Sequence, residues 1–246
     1  MAIIEVRNVS KRFGGVVANE DVSLDVEKGS ITGLIGPNGS GKTTLFNSIV
    51  GYHPVDGGSI KFKDQELTKM LVPQIARTGL LRTFQQTRIF GNLNCVQNML
   101  NSIPYRRMGI MEVFKGHRTE DQEKAEYLLE FVGLYQKRLL LAGDLSFGQQ
   151  KLLEFAMALM NDPEVLLLDE PTAGINPTLI NGLIDRLKRA NSEFGITLFV
   201  IEHNMRVIMN MAQQIYCLAN GKLLASGSAD EVQNDQRVID AYLGGH

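Results

Sequence analysis

The chain has 246 residues, 44% of them hydrophobic and 21% charged, an ordinary balance for a globular protein that forms one large domain or two small ones. A net charge of −2 gives no sign of a general affinity for nucleic acid. Cys95 and Cys217 lie too far apart for a metal-type spacing or a disulfide framework, which suits a reducing compartment. The first residues carry no apolar stretch with a cleavage site, so secretion is not expected. No apolar run approaches the roughly 20 residues that span a bilayer, so any spanning would fall to another chain.

Taken in order, "IIEVRNV" (3–9) and "VSLDVEKG" (22–29) alternate with period 2 and predict strands. "SITGLIG" (30–36) predicts a buried strand running into a glycine turn. "GSIKFKDQEL" (58–67) predicts another strand, an exposed one. The stretch 101–118 is irregular. From about Thr119 to about Met160 the pattern is helical, with Ala125, Leu128, Leu129 and Val132 on one face. Glu120, Asp121, Glu123 and Lys124 make a solvated charged turn beside it. Within this region Ser146 and Gln149 have capping-box spacing ahead of an apolar helix. "VLLLDE" (165–170) and "ITLFVIEH" (196–203) read as buried parallel strands, which carry chemistry at their carboxyl ends. "IYCLANGKLLASG" (215–227) predicts a hairpin about Asn220-Gly221, a pair suited to a type I′ turn. Ser228 and Glu231 form a second capping box before a final short helix.

"GPNGSGKTT" (36–44) matches the phosphate-loop pattern directly after an apolar strand. Phosphates need several backbone N–H groups turned inward, and Gly36, Gly39 and Gly41 let the chain curl that closely. Lys42 supplies a point charge for the β- and γ-phosphates and Thr43 a hydroxyl for Mg²⁺. The helix that follows sets its positive end at the anion. Asp169, ending a strand, can hold Mg²⁺ through water, and Glu170 can polarise an attacking water. No N-K-x-D sequence is present to read guanine, so ATP is expected over GTP. Gln85, in "RTFQQ", ends a short apolar-aromatic stretch between core and helical segment. His203 ends the strand "LFVIEH", where its ring can donate to a γ-phosphate oxygen near neutral pH. Phe13, in "KRFGG", offers a ring face to adenine, or serves simply as a half-buried aromatic at a strand end.

These motifs, in this order, resemble the ATP-binding subunit of an ABC transporter over essentially the whole chain. They are Phe13, the loop 36–44, Gln85, the signature "LSFGQ" (145–149), Asp169–Glu170, the D-loop "AGIN" (173–176) and His203. "RTFQ", "PTAGINP", "IEHNM" and the closing "AYLGG" are similar to importers of branched-chain and other hydrophobic amino acids or amides. The resemblance implies an α/β fold: a P-loop (RecA-like) parallel-sheet core, an N-terminal antiparallel β subdomain and an inserted α-helical subdomain. One ABC ATPase domain would cover 1–246, with the nucleotide-binding core at 1–85 and 159–246 and the signature-bearing helices at 86–158.

The resemblance also implies site residues and partners. ATP and Mg²⁺ would be the ligands. Phe13, Gly36, Pro37, Asn38, Gly39, Ser40, Gly41, Lys42, Thr43 and Thr44 would hold nucleotide in one subunit, and Ser146, Gly148 and Gln149 would meet it from another. Thr43, Gln85 and Asp169 would face the metal, and Glu170, His203, Lys42 and Gln85 would serve catalysis. The partners would be a second ATP-binding subunit (a copy or a paralogue), transmembrane permease subunits docked in part on 86–100, and indirectly a solute-binding protein. Nucleic acid is not among them. The site of action would be the cytoplasmic face of the cell (inner) membrane, as a peripheral subunit. Two residues depart from the family pattern: Phe147 stands where the signature usually has Gly, and Asn176 where the D-loop usually ends in Asp. Both are compatible with pairing to a paralogue, giving two unequal sites. A soluble ABC-type ATPase of a non-transport assembly, or an exporter, would use similar motifs.

Overall fold

A computed structural model describes residues 1–83, 89–103 and 119–243. Packing divides the chain into two compact units. One comprises Met1–Arg82, Glu164–Pro171 and Leu187–His246; the other comprises Thr83–Pro163 and Thr172–Arg186.

The first unit holds two sheets. β1 (Ala2–Phe13) and β2 (Val16–Glu27) pair antiparallel, and β4 (Gly57–Phe62) and β5 (Gln65–Glu66) extend them in the order β2-β1-β4-β5. Ile4, Val6, Val22, Leu24 and Val26 point inward and pair across the ladder, Val6 with Leu24 and Ile4 with Val26. The alternation expected over 3–9 breaks between Val6 and Val9. Asn8 and Asp21 both take positive φ there, and Asn8 Nδ2 donates to Asp21 Oδ1 at 2.7 Å. The irregularity returns Val9 to the buried face. β4 is less exposed than expected, because Ile60 and Phe62 are buried.

In the second sheet β3 (Ile31–Ile35), β6 (Leu80–Arg82), β7 (Val165–Asp169), β8 (Thr197–Ile201) and β9 (Gln214–Ala219) are parallel, and β10 (Lys222–Gly227) returns antiparallel from β9. Their order is β10-β9-β3-β8-β7-β6. Every residue of β3, β7 and β8 is buried, which is why these strands read as unbroken apolar runs. The β9–β10 turn has Asn220 at φ 49 and Gly221 at φ 78, as the hairpin expectation required. Helix α1 (Lys42–Ile49) lies between the sheets, with Leu45, Phe46 and Ile49 fully buried and Phe46 packed on Phe199 at 4.8 Å between ring centroids. A short α2 (Val72–Ala76) follows β5.

The second unit is helical. α3 (Cys95–Asn101), α4 (Thr119–Phe131) and α5 (Phe147–Leu159) pack on one another, and the start of α6 (Pro177–Phe194) joins them. Ala125, Leu128, Leu129 and Val132 are buried, as their spacing predicted. The helical run expected across 119–160 is interrupted: Gly133, at φ 79, follows the end of α4, and 3-10 turns at Tyr135–Lys137 and Ala142–Asp144 precede α5. Arg186 Nε donates to Val132 O at 2.8 Å and ties α6 to the end of α4. In the first unit the chain closes through α7 (Met205–Met211), α8 (Ala229–Gln233) and α9 (Gln236–Leu243). Among the described residues no helix is long and apolar enough to cross a membrane.

Candidate functional site

The phosphate-loop residues leave the carboxyl end of β3 and wrap the start of α1. Two of the glycines are demanded by close approach. A Cβ on Gly36 would lie 2.1 Å from the Leu218 carbonyl oxygen, and one on Gly41 would lie 2.2 Å from that of Ala18. The loop curls inward around Lys42, which is 5% exposed. Its Nζ donates to the carbonyls of Gly36 and Pro37, both at 2.9 Å, and to Ser40 Oγ at 3.3 Å. Burial pushes the Lys42 ammonium below its usual pKa, while Glu170 and then Asp169 act in the opposite direction. Thr43 is exposed at the helix start and Thr44 half-buried.

Asp169 ends β7 and is 2% exposed. Its Oδ2 accepts from Arg82 Nη2 at 2.6 Å, while its Oδ1 is buried without a hydrogen-bond partner among the described residues. The Arg82 guanidinium lies over the Phe46 ring at 5.8 Å and also donates to Asn47 Oδ1, so the end of β6, the end of β7 and α1 are tied together. Glu170 follows at φ 51, a left-handed conformation that costs a non-glycine residue about 1–3 kcal/mol and collects at functional sites. Its Oε1 lies 2.6 Å from His203 Nε2, from the turn after β8. His203 is therefore brought to Glu170, its neighbour across adjacent parallel strand ends. Phe13 is 45% exposed and meets His53 edge-on at 5.1 Å, with Lys11 Nζ 5.3 Å from its ring. Gln85 lies outside the described residues.

In the helical unit Ser146 is the N-cap of α5, with extended backbone. Gln149 Oε1 accepts from the Ser146 amide at 3.2 Å, the returning half of the capping box. Among the described residues the exposed Ser146 hydroxyl makes no side-chain cap hydrogen bond. Phe147 is 46% exposed, and Gly148 behind it is buried. The Phe147 ring fills the space beside Gly174, whose φ is 73: a Cβ there would lie 2.8 Å from Phe147 Cε1. The two segments that carry the departures from the family pattern thus touch. Asn176 Oδ1 accepts from the Thr178 amide and hydroxyl at 3.1 and 2.9 Å, opening α6. Asparagine retains these helix-start bonds without a charge.

Sequence reasoning gave no role to Arg82 or Tyr242. Arg82 stood inside a quoted motif, and the signal was a lone basic residue ending an apolar strand. Tyr242, in the closing motif, has its hydroxyl 2.8 Å from the Gly36 amide, which donates to it.

A model of the ABC transporter family matches residues 19–173. The chain belongs to the ABC transporter family. A second model, the branched-chain amino acid ATP-binding cassette transporter, matches residues 222–246 of this ABC protein. It is 35% identical to the high-affinity branched-chain amino acid transport ATP-binding protein LivG of Escherichia coli (strain K12) over 98% of both chains. It is 36% identical to BraF of Pseudomonas aeruginosa, which bears the same description, again over 98% of both. Among solved structures it resembles the ADP conformation of MJ1267, an ATP-binding cassette of an ABC transporter, with a TM-score of 0.89 and 33% identity over 99% of each chain. The ABC ATPase fold and the resemblance expected from the motifs are therefore confirmed.

Proposed function

We propose that this ABC ATPase binds and hydrolyses ATP at the cytoplasmic face of a membrane and energises an importer of branched-chain or related hydrophobic amino acids or amides. The observation that carries the reading is the glycine loop closed around Lys42 beside the strand-end carboxylates Asp169 and Glu170. The names of its relatives support the substrate class. The single ABC domain would divide into a nucleotide core (1–85 and 159–246) and a signature-bearing helical part (86–158).

The donor set fits Mg²⁺. The Asp169 Oδ1 is a hard oxygen, buried and without a hydrogen-bond partner among the described residues, and a magnesium site commonly takes one or two carboxylates, with phosphates and water completing it. Asp169, Thr43 and Gln85 would hold the ion, which supplies charge neutralisation to the phosphates. Loop amides and Lys42 bind and orient the β- and γ-phosphates. Glu170 orients the attacking water in line, and His203, next to Glu170, donates to the γ-phosphate. Phe13 stacks on adenine.

The remaining donors come from a second ATP-binding subunit, a copy or a paralogue. Ser146 of the partner subunit and the amides about its Gly148 close over the same phosphate. A helix dipole contributes only about 0.3–1 kcal/mol, up to ~2 when partly buried, whereas removing one preorganised anion donor costs roughly 2.7–4 kcal/mol. Direct hydrogen bonds made on closure therefore carry the effect. Gln85 reports nucleotide state to permease subunits docked partly on 86–100, and a solute-binding protein acts indirectly through the permease.

Isolation of the complex from membranes tests this. ATP hydrolysis in proteoliposomes should rise several-fold with a loaded solute-binding protein and be accompanied by leucine uptake. Recovery of an active ATPase from the soluble fraction alone, without permease subunits, would favour a non-transport assembly; ATP-driven release instead of uptake would favour an exporter.

A further inference from the structure

The ladder between β3 and β9 ends where Ile35 pairs with Cys217. Gly36, the next residue, is buried and has no strand neighbour for its N–H among the described residues. Buried backbone donors are almost always paired, because leaving one unpaired forfeits its hydration without return. The partner comes from the far end of the chain: Tyr242 Oη accepts the Gly36 N–H at 2.8 Å. The carbonyl of the same glycine accepts from Lys42 Nζ at 2.9 Å. One residue of the loop is therefore pinned on both sides, by the α9 hydroxyl and by the loop's own ammonium.

Four further facts make this more than a chance contact. Gly36 sits at φ 147 against the Leu218 carbonyl, where no side chain could hold it in place by packing. Burial pushes the Tyr242 hydroxyl up to about 12, so it stays neutral throughout the physiological range. α9 packs against β10, and Val238, at 2% exposure, anchors it. The segment also falls within residues 222–246, which match the branched-chain transporter model, and outside the 19–173 matched by the general ABC model.

We infer that α9 is a positioning element for nucleotide binding: Tyr242 fixes the Gly36 peptide and thereby preorganises the loop and the aim of Lys42. The inference rests on the ATP-binding reading above. Without the hydroxyl, Gly36 would satisfy its N–H with water, and the loop would have to be re-ordered each time nucleotide binds. Preorganisation of this kind shows as affinity.

Tyr242→Phe keeps the ring and removes only the acceptor. In the nucleotide-free full-length protein, NMR-detected exchange of the Gly36 amide should quicken by about tenfold or more, the worth of roughly one net hydrogen bond. Mg-ATP should bind about three- to tenfold more weakly by calorimetry, with hydrolysis at saturating ATP within about twofold of wild type. Ile239→Ala, on the same helix but 36% exposed, should leave both exchange and affinity within about twofold of wild type. Unaltered Gly36 exchange in Tyr242→Phe overturns the inference. So does faster exchange with unaltered affinity, or an equal loss in Ile239→Ala, which would reduce α9 to a stability element. A wild-type protein that fails to bind Mg-ATP sinks the nucleotide reading and this inference with it, and is told apart because the loss precedes any substitution.

Discussion

The phosphate loop and the signature turn both open a helix with glycine nearby, yet they are built on opposite plans. At the start of α1 the polar groups face inward. Lys42 is 5% exposed and its ammonium donates to three acceptors of its own loop. At the start of α5 Ser146 and Phe147 are exposed, and the Ser146 hydroxyl closes no cap bond. The first arrangement is preorganised by its own chain. The second keeps a donor uncommitted at a helix N-terminus, where an anion from outside is welcome. The contrast suits a composite site in which one subunit grips nucleotide and another completes the cage.

The sharpest way to break this comparison is at Glu170, the carboxylate proposed to orient the attacking water on the gripping side. Glu170→Gln keeps the shape and an acceptor oxygen towards His203 but removes the proposed base. A positioned general base contributes about 10²–10⁴ in rate, so phosphate release in the reconstituted complex should fall by that much. ATP binding should stay within about twofold, because binding rests on the loop. Turnover equal to wild type would move the hydrolytic role off Glu170.

The next test asks whether the gripping side is held by its own interior. The Arg82 and Asp169 side chains are 6% and 1% exposed. Removing one partner of such a buried pair leaves a charge uncompensated and typically costs about 3–5 kcal/mol. Arg82→Ala should therefore lower the guanidinium unfolding free energy by about that amount without any nucleotide present. Replacing both, Arg82→Met with Asp169→Leu, should recover most of it, since an apolar pair of similar volume is often neutral. A loss below about 1 kcal/mol in the single variant would mean that the pair does not brace the strand ends.

The same contrast explains what could be read from the sequence. β3, β7 and β8 were legible because burial on both faces leaves nothing but apolar residues in them. The β9–β10 hairpin was legible because Asn220-Gly221 admits positive φ at both positions. Lys42, Asp169, Glu170 and His203 stood out because they end or follow such strands. Arg82 and Tyr242 were missed for one reason: their importance lies in partners 87 and 206 positions away, and motif reading is local. The break at Asn8 was missed likewise, since it depends on Asp21 across the ladder. The signature turn was ambiguous because one spacing, Ser146 to Gln149, serves both a cap and an anion site. Only geometry separates the glutamine's bond from the uncommitted hydroxyl.

That ambiguity gives the finest test, since the chain carries a second serine box as its own control. Ser228 Oγ accepts from the Glu231 amide at 3.4 Å and the hydroxyl donates to Glu231 Oε2 at 2.9 Å. Ser228→Ala should cost about 0.5–2 kcal/mol of stability, the usual worth of an N-cap, and leave turnover near wild type. Ser146→Ala should do the reverse. Among the described residues its hydroxyl makes no cap hydrogen bond, so stability should fall by less than about 0.5 kcal/mol. Losing a hydrogen bond to a charged group, about 1.5–3 kcal/mol, should slow turnover of the assembled complex roughly ten- to 150-fold and weaken ATP-dependent closure. Both are measured on the same preparations, by denaturant unfolding and by phosphate release. If Ser146→Ala instead unfolds more easily while each folded molecule turns over normally, the signature serine is a cap like Ser228, and the outward-facing half of the comparison fails.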